Sequence, residues 1–519
     1  MPSPKIHRSP YPDVEIPDAT LTEHVLGPAA RRGDAVALID GTSGEHTSYA
    51  ALAGLVGGAA SRLGSLGIGP GGTVALMSRN QPAFVVAFHG AVAAGACITP
   101  LNPVLTVAEA ARQVADAGAT VLLVDDATVD KGHEIAEETG ASEVVLDRSW
   151  LDPNQGQPLP ERPAGLDPAR SLAALPYSSG TTGRAKGVML THRNLVANLL
   201  QLGAVWPYRE TDVVCAVLPL FHIYGLNVIM NLALARGATV VTLPRFDLET
   251  YLSAIERYRV TRLHLAPPMV LQMVTDPRAE RFDLSSVRWA VSGAAPLDAE
   301  LATRFEERFG VPVVQGYGMT EASPGTHSVS EQDQHRAPAG SVGWLLPNTE
   351  ERLVSPATEE DDETEGEIWV RGPQVMAGYL HDPDATASTL TADGWLRTGD
   401  VGRVEEGALF IVDRVKELIK YKGYQVPPAE LEALLLTHPA VSDAAVVAMP
   451  HELGGEAPKA YVVLSAPVDP DELMAWVATR VAPYKRIRAL EVVDEIPKSP
   501  SGKILRRVLR ERAARERQA

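Results

Sequence analysis

The sequence predicts an α/β protein: a large amino-terminal domain of doubly wound α/β halves with a small β-rich subdomain, followed by a small α+β domain. Three observations support this fold class. Strand-length apolar runs alternate with helix-length segments from Gly72 onward. After Gly340 the pattern changes to short strands and turns, and the stretch beyond Arg414 has its own helices and strands. We therefore predict domains at 1–412 and 418–519, joined by a hinge at 413–417.

The first alternating series favours a parallel sheet. Thr106 and Glu109 form a capping box ahead of a helix that ends near Ala117, and a further helix is predicted at 82–94. The predicted strands lie at 73–78, 96–99, 119–126 and 142–147. Strands joined by helices in this way form βαβ units. The glycine pattern from Gly67 to Gly72 precedes a strand, whereas a dinucleotide fingerprint follows one, so we do not interpret it as a dinucleotide site.

A second series follows a linker at 154–167 that is rich in proline, glycine and glutamine. Its predicted strands lie at 213–218, 239–243, 262–266, 289–292 and 312–315, and its helices at 248–258, capped by Asp247, and 298–309. The small domain has predicted helices at 429–437 and 471–481 and strands at 443–449 and 460–465. The acidic run at 359–367 is most simply a solvated hairpin tip.

The composition narrows the function. The chain has 519 residues, 45% of them hydrophobic, and a formal net charge of −18, which argues against a general binder of nucleic acid or anionic membranes. Cys97 and Cys215 lie in apolar runs without metal-ligand spacing, which is typical of buried thiols in a reducing compartment. We find no signal core and no membrane-spanning stretch, and expect a cytoplasmic protein without integral membrane contact. The sequence does not define the oligomeric state.

The segment Tyr177–Gly187 is rich in glycine and hydroxyl residues. Glycine permits close backbone approach to a ligand, hydroxyls add donors, and Lys186 adds a positive charge, so the loop suits a polyphosphate. It is not the common phosphate loop, because the glycines and Lys186 have a different spacing and the following residues are predicted to form a strand. A flexible surface hairpin remains an equal alternative.

Four further stretches carry chemically useful side chains: QGYGMTE at 315–321, RTGD at 397–400, VDRVKELIKYKGYQ at 412–425 and PKSPSGK at 497–503. Tyr317 is suited to stacking on a base, Glu321 to binding Mg²⁺ and Asp400 to accepting from ribose hydroxyls. Each has an ordinary structural alternative: a core aromatic, a helix-start carboxylate, a turn residue or, for Lys503, a solvated cation.

Together these motifs resemble the adenylate-forming superfamily of acyl-CoA synthetases, luciferases and peptide-synthetase adenylation domains. The resemblance runs essentially end to end, with a close match to the 4-coumarate-CoA ligase-like branch, including PLFHIYGL at 219–226 and GDVGRV at 399–404. It implies a two-step reaction. A carboxylic acid attacks the α-phosphorus of MgATP to give acyl-AMP and pyrophosphate, and the thiol of CoA then displaces AMP.

The resemblance also implies a role for individual residues. Ser178, Ser179, Gly180, Thr181, Thr182, Gly183 and Lys186 would hold the β- and γ-phosphates, with Thr320 at the α-phosphate and Glu321 at Mg²⁺. Gly293, Ala294 and Tyr317, with the neighbouring Gln315, Gly316 and Gly318, would form the adenine side, and Asp400 and Arg414 would hold the ribose. Lys503 is expected to bridge the carboxylate and the α-phosphate during adenylation.

The small domain would act as a mobile lid, because Lys503 must leave before the thiol approaches. Lys416 resembles the pivot of the family. After rotation, Lys420 and Gln425 are expected to position the adenylate, while Gly423 and Tyr424 line the path of CoA.

The acyl pocket is expected to include Tyr224, Val228, Gly316, Pro324 and Gly325, with His222 beside the carboxylate. A buried structural histidine is the alternative for His222. Val228 stands where plant 4-coumarate-CoA ligases can offer a serine, and Gly325 where they usually have a valine that narrows the pocket, so Gly325 is expected to widen it. We therefore expect a cinnamate or 4-coumarate type of acid in preference to caffeate, because a hydroxyl buried without a partner is costly.

Several alternatives stay open. A medium-chain fatty acid is the second candidate substrate. A luciferase-like oxygenase and an acyl-carrier-protein ligase are alternative enzymes on the same fold, and an inactive nucleotide-binding homologue is a non-enzyme alternative.

Overall fold

The computed structural model describes residues 5–179, 185–355, 358, 360–362, 364–414, 417–421, 424–451, 455–481, 483–498 and 504–516. The strands in these ranges form four sheets. Three belong to the amino-terminal domain and the fourth to the smaller carboxyl-terminal domain. The α/β fold class predicted from the sequence is confirmed, whereas the domain limits and the hinge at 413–417 stay predictions.

The first sheet is parallel at its centre and antiparallel at one edge. Its order is Gly378–Tyr379, Ala185–Thr191, Leu172–Ala174, Cys97–Leu101, Thr73–Met77, Val121–Val124 and Ser142–Val145, with Tyr177–Ser179 paired to Ala185–Thr191. The strands from Leu172 and from Cys97 to Val145 run parallel, and Ala185–Thr191 pairs antiparallel to its neighbours. The parallel sheet expected from the first alternating series is therefore confirmed for its strands, and the antiparallel edge is formed by strands outside that series.

The second sheet has the order Trp344–Leu345, Gly325–Ser328, Val313–Gly318, Trp289–Ser292, Arg262–Leu265, Val213–Ala216, Thr239–Thr242, Val36–Asp40 and His46–Ser48. The six strands from Val313–Gly318 to Val36–Asp40 are parallel, and the flanking ones are antiparallel. The carboxyl ends of Trp289–Ser292 and Val313–Gly318 lead directly into the predicted adenine and acyl residues. This is the edge at which open α/β sheets bind ligands.

The third sheet is antiparallel and carries Asp400 and Arg414. Its order is His7–Arg8, Glu350–Val354, Glu365–Arg371, Leu396–Glu405 and Ala408–Arg414, with Asp361–Asp362 paired to Glu350–Val354. In the small domain, the sheet order is Tyr424–Val426, Ile419–Tyr421, Gly455–Leu464 and Val441–His451, with Ala489–Val492 paired to Gly455–Leu464. Val441–His451 extends a little beyond the strand predicted at 443–449, and Gly455–Leu464 begins earlier than the strand predicted at 460–465.

Helices cover the sheets, and several of them begin at side-chain caps. Thr106 and Glu109 form the predicted capping box, and Asp247 caps the predicted helix by accepting from the Thr250 amide. The helices are Leu21–Leu26, Ala29–Arg32, Tyr49–Ser65, Pro82–Ala93, Val107–Asp116, Val129–Thr139, His192–Val205, Leu232–Ala235, Leu248–Tyr258, Pro267–Thr275, Ala299–Phe309, Pro383–Thr389, Pro428–Leu436, Pro470–Ala478 and Arg506–Glu516. The helix predicted at 471–481 ends earlier, at Ala478.

The core is largest between the first two sheets. One apolar cluster joins helices Tyr49–Ser65 and Pro82–Ala93 to both sheets, and separate clusters fill the other face of the second sheet and the small domain. Cys97 and Cys215 are buried free thiols. Within the described ranges, no helix has the length and apolar character needed to cross a membrane.

Candidate active site

The described ends of the glycine-rich segment are two paired strands. Strands Tyr177–Ser179 and Ala185–Thr191 pair antiparallel, with Ser178 opposite Lys186. This register brings a hydroxyl and an ammonium to the same end of the first sheet, as a phosphate site requires. Gly180, Thr181, Thr182, Gly183 and the side chain of Ser179 lie outside the described residues, so their predicted contacts stay predictions.

Glu321 is a buried carboxylate held by two hydroxyl donors. Its Oε1 accepts from Ser178 Oγ at 2.9 Å and from Tyr379 Oη at 2.8 Å, and the residue is 5% exposed. No described side chain donates to Oε2. A single oriented carboxylate with one oxygen available fits Mg²⁺, which is usually held by one or two carboxylates together with the phosphates of its nucleotide. Thr320 begins the same short 3₁₀ turn, Thr320–Ala322, which places its hydroxyl group next to this carboxylate in the chain.

Among the described residues, no group of three or more histidine, cysteine, aspartate or glutamate side chains could hold a metal ion by itself. When bound, Mg²⁺ would neutralise phosphate charge as pyrophosphate forms.

Lys186 lies between an aspartate and an aromatic ring. Its Nζ is 3.8 Å from Asp382 Oδ2 and 5.0 Å from the centre of the Tyr379 ring. Burial and, after it, the charge of Glu321 raise the pKa of Tyr379, so the phenol keeps its proton and donates to Glu321. Sequence reasoning missed Tyr379 and Asp382. The Asp-Pro pair at a helix start could have located the cap, but no local pattern indicates the contact with Lys186.

Asp400 joins the second and third sheets. Its Oδ2 accepts from Tyr317 Oη at 2.7 Å, and its Oδ1 lies 3.2 Å from Arg414 Nε across the strand pair. Burial and the neighbouring carboxylate raise the pKa of Tyr317 well above its usual value, which keeps the hydroxyl a donor. A hydrogen bond and an ion pair thus bring together the three predicted ribose and adenine residues.

The predicted adenine side lies at the end of strand Trp289–Ser292. Gly293 packs against Tyr224, since a Cβ at this glycine would lie 3.1 Å from the tyrosine ring. Ala294 has a left-handed φ of 71°, which turns the chain away from the sheet. Gln315 supports this loop: its Oε1 accepts from the Leu297 amide at 2.8 Å.

The predicted acyl side is built on a π-helix, Tyr224–Asn231, a form frequent at functional sites. The Tyr224 amide donates to His222 Nδ1 at 3.3 Å, so a neutral His222 ring carries its proton on Nε2 and can donate to a carboxylate. The Tyr224 hydroxyl is buried and has no hydrogen-bond partner among the described residues. Val228 is 3% exposed and provides an apolar surface without a donor.

The other predicted wall of the acyl site is formed by the segments around Gly316 and Gly325, and glycines there allow close backbone packing. A Cβ at Gly318 would lie 2.1 Å from the Pro324 carbonyl oxygen, whereas one at Gly316 would meet only ordinary contacts at 3.4 Å or more. A Cβ at Gly325 would lie 3.2 Å from Leu346 and 3.3 Å from Leu202, both in the core. A side chain at this position would therefore meet the core, and the widening of the acyl pocket by Gly325 stays a prediction.

Asn198, which sequence reasoning missed, fixes the same wall. Its Nδ2 donates to the Gly325 carbonyl at 2.9 Å, and its Oδ1 accepts from the Gly325 amide at 3.1 Å. Asn198 is fully buried in helix His192–Val205. The sequence signal that could have identified Asn198 is a polar residue at a core position of an apolar helix.

The small domain brings Lys420 and Gln425 opposite each other in the backbone register of the hairpin between Ile419–Tyr421 and Tyr424–Val426. The structure does not describe the side chains of Lys420, Tyr424 and Gln425, and Lys416, Gly423 and Lys503 lie outside the described residues. Their roles therefore remain predictions.

An ion-pair cluster links the end of the third sheet to the small domain. Arg506 bonds Glu417 at 2.6 Å and Glu432 at 2.5 Å, and the Ala429 amide donates to Asp413 Oδ2 at 2.9 Å. Burial raises the pKa of Asp413 to about 6 and that of Glu432 to about 7. Asp413 and Glu417, on either side of 415–416, are thus bonded to helices Pro428–Leu436 and Arg506–Glu516 of the small domain.

Comparison with known proteins assigns the fold and the site to one family. Residues 27–380 match the AMP-binding enzyme family, and residues 430–503 match the C-terminal domain of AMP-binding enzymes. The chain belongs to the AMP-binding enzyme family. The resemblance to adenylate-forming enzymes is thereby confirmed.

Relatives within the AMP-binding enzymes are similar over nearly the whole chain. The chain is 43% identical to 4-coumarate–CoA ligase 5 of Oryza sativa subsp. japonica, covering 99% of this chain and 98% of the relative, and 41% identical to 4-coumarate–CoA ligase 1 of Petroselinum crispum, covering 98% and 97%. Among solved structures, ATP-bound MatB from Rhodopseudomonas palustris is 30% identical with a TM-score of 0.86, covering 95% of this chain and 99% of that one. The anthranilate CoA ligase AuaEII in complex with anthranoyl-AMP is 26% identical with a TM-score of 0.88, covering 98% and 99%.

Proposed function

We propose that this AMP-binding enzyme is an ATP-dependent carboxylate–CoA ligase acting on an arylpropenoate of the cinnamate or 4-coumarate type. The observation that carries the proposal is a pair of oriented carboxylates. Glu321 accepts from Ser178 and from Tyr379, whose ring also contacts Lys186, and Asp400 lies between Tyr317 and Arg414. One set suits a magnesium triphosphate and the other a ribose.

In the first half-reaction, a carboxylate oxygen of the acid forms a bond to the α-phosphorus, and the bond from that phosphorus to pyrophosphate breaks. Ser178 and Lys186 would bind the departing phosphates, Thr320 the α-phosphate, and His222 would donate to the acid from Nε2. Lys503 would stabilise the charge that accumulates between acid and phosphate.

In the second half-reaction, the CoA sulfur loses its proton, bonds to the acyl carbon and displaces AMP. Rotation of the small domain about Lys416 would remove Lys503 and bring Lys420 and Gln425 to the adenylate, with Gly423 and Tyr424 along the CoA path. No nucleophile of the enzyme is required.

The acyl preference rests on Tyr224 and Val228. The buried Tyr224 hydroxyl has no hydrogen-bond partner among the described residues. A phenolic hydroxyl on the substrate would give it one, a hydrogen bond worth about 0.5–1.5 kcal/mol. Val228 offers no donor or acceptor to a second hydroxyl. The names of the relatives also favour 4-coumarate. We therefore expect 4-coumarate and cinnamate to be used better than caffeate.

A medium-chain fatty acid is the second candidate, favoured by the apolar Val228. The discriminating experiment measures pyrophosphate release with MgATP across 4-coumarate, cinnamate, caffeate, octanoate, palmitate, benzoate and phenylalanine, each with and without CoA. CoA-dependent thioester formation led by 4-coumarate or cinnamate supports the proposal, and octanoate in first place favours the fatty acid ligase. Pyrophosphate release without a CoA thioester would favour a carrier-protein ligase or an oxygenase, and no release with any acid would favour an inactive homologue.

We also propose a cytoplasmic location, which rests on the two buried free thiols. Fractionation of the source cells against a cytoplasmic marker enzyme tests it, and enrichment with a membrane or secreted fraction would contradict it.

A further inference from the structure

The strand Gly378–Tyr379 lies at the edge of the first sheet and has no assigned part in the proposed chemistry. It pairs antiparallel with the strand that carries Lys186, and Val188 is opposite Tyr379. Tyr379 is 9% exposed, so its contacts are made within the protein. These contacts reach both charged groups of the phosphate site.

The hydroxyl end of Tyr379 orients Glu321. It donates at 2.8 Å to Oε1, the oxygen that also accepts from Ser178. Two donors on one carboxylate oxygen fix the plane of the carboxylate and leave the other oxygen available to a cation. Hydrogen bonds of this kind, from residues behind a metal ligand, commonly change metal affinity by about 10–100-fold.

The ring face of Tyr379 contacts Lys186. The ammonium is 5.0 Å from the ring centre, within the range of a cation–π interaction. Asp382, three residues further on, is 3.8 Å from the same ammonium. One aromatic side chain thus touches the proposed magnesium ligand with its hydroxyl and the proposed phosphate-binding lysine with its face.

The backbone around Tyr379 is fixed by the following helix. The Tyr379 amide donates to Thr386 Oγ1 at 2.9 Å, and Asp382 caps helix Pro383–Thr389 by accepting from the Ala385 amide at 2.9 Å. Gly378 has a φ of 141°, and a Cβ there would lie 2.9 Å from Thr386 Cγ2. The tyrosine is therefore held on a rigid support.

We propose that Tyr379 is a positioning residue that couples the magnesium-binding carboxylate of Glu321 to the phosphate-binding ammonium of Lys186. The inference rests on the proposed function, since it assumes that a magnesium nucleotide occupies this site. Removing the hydroxyl should weaken metal-dependent binding of the nucleotide, whereas removing the ring should also weaken the binding of nucleotide alone.

Mn²⁺ binding followed by electron paramagnetic resonance, with α,β-methylene-ATP present, tests this on the full-length protein. Tyr379→Phe should weaken Mn²⁺ binding about tenfold and leave nucleotide binding in EDTA unchanged, while Tyr379→Leu should weaken both. Conversion of preformed 4-coumaroyl-AMP to thioester should be unchanged in Tyr379→Phe. The matched control is Tyr49→Phe, because the buried Tyr49 hydroxyl also makes hydrogen bonds, to the Leu234 and Ala238 carbonyls, remote from the site.

The outcomes are distinguishable. Equal Mn²⁺ affinity in Tyr379→Phe, Tyr49→Phe and the unmodified protein would overturn the inference and leave the proposed function standing. Equal loss of metal-dependent and metal-free binding in Tyr379→Phe would also overturn it, as would a loss of Mn²⁺ binding that Tyr49→Phe shares. If the unmodified protein bound no Mn²⁺ with the nucleotide and formed no acyl-AMP, the proposed function and this inference would fail together.

Discussion

Asp400 accepts a hydrogen bond from Tyr317 in the second sheet and pairs with Arg414 across its own sheet. The hydrogen bond from the Tyr317 hydroxyl holds the Asp400 carboxylate in one orientation before a ribose binds. Replacing Tyr317 with phenylalanine should raise the KM for ATP about tenfold with a smaller change in kcat, because a hydrogen bond to a charged group contributes about 1.5–3 kcal/mol. Steady-state kinetics at saturating acid and CoA measure this.

Tyr251→Phe is the control for that substitution. Tyr251 is fully buried, and its hydroxyl has no hydrogen-bond partner among the described residues. Its loss should leave the KM for ATP unchanged. An unchanged KM in Tyr317→Phe as well would show that Asp400 does not depend on the phenol.

Helix His192–Val205 supports the predicted acyl wall through Asn198. Asn198→Ala should lower the free energy of unfolding by about 2–4 kcal/mol, because the amide and carbonyl of Gly325 would be buried without partners. It should also raise the KM for the acid, since the wall formed by Pro324 and Gly325 loses its anchor. Chemical denaturation and acid-dependent kinetics measure the two effects.

Gln113→Ala provides the comparison for Asn198→Ala. Gln113 is a buried amide that donates to Thr99 Oγ1 and to the Pro100 carbonyl in the first sheet. Its loss should reduce stability without changing the KM for the acid. If both variants changed that KM alike, the effect of Asn198 would be a general loss of stability.

The first turn of helix Pro428–Leu436 donates a hydrogen bond from the Ala429 amide to the Asp413 carboxyl group. Asp413 keeps its proton to a higher pH than an ordinary aspartate, because its pKa is raised. Burial raises the pKa of Asp413 from 3.8 to about 6, with Arg506 opposing the shift and Glu417 adding to it. A raised carboxyl pKa contributes stability that is fully present below pH 3.8 and is lost as the pH rises through about 6. Between pH 5 and pH 7 the loss should be about 1 kcal/mol.

Asp413→Asn removes this titration and keeps the shape of the side chain. The difference in unfolding free energy between the unmodified protein and the variant should therefore move by about 1 kcal/mol in favour of the variant from pH 5 to pH 7. Denaturant titrations at both pH values measure it. Parallel pH profiles for the two proteins would contradict the assignment.

Most elements could be predicted because their signals are local. The capping box of Thr106 and Glu109 spans four residues, and the strand at Thr73–Met77 is one apolar run. The pairing of Gly378–Tyr379 with Ala185–Thr191 at the edge of the first sheet could not be predicted in this way, since it joins distant parts of the chain. Strand order at an edge depends on tertiary packing, which no short window contains.

At the scale of the whole molecule, the sequence motifs indicated Glu321 and Asp400 but not the residues that support them. Glu321 and Asp400 were identified from their motifs, whereas Tyr379 contacts Glu321 from 58 residues away and Asn198 contacts Gly325 from 127 residues away. Supporting residues have ordinary local contexts, a tyrosine in a short strand and an asparagine in a helix. Their role arises only when the sheets assemble.

The two domains should divide the chemistry between them. Lys503→Ala should slow formation of acyl-AMP by about 100-fold or more, because one charge pair near 4 Å at an effective dielectric of about 20 contributes about 4 kcal/mol. Thioester formation from preformed acyl-AMP should persist, since Lys503 is expected to leave the site for that step. Single-turnover assays of each half-reaction measure the two rates, and equal losses in both would remove the assigned role.

The central claim is that the acid is activated as an adenylate before CoA attacks. The most direct measurement mixes enzyme with MgATP and 4-coumarate in the absence of CoA, quenches in acid and quantifies bound 4-coumaroyl-AMP, then chases a second sample with CoA. The account predicts about one acyl-AMP per enzyme, released pyrophosphate, and full conversion of the adenylate to 4-coumaroyl-CoA and AMP in the chase. Formation of ADP with an acyl phosphate, or an acyl-AMP that CoA does not consume, would contradict it.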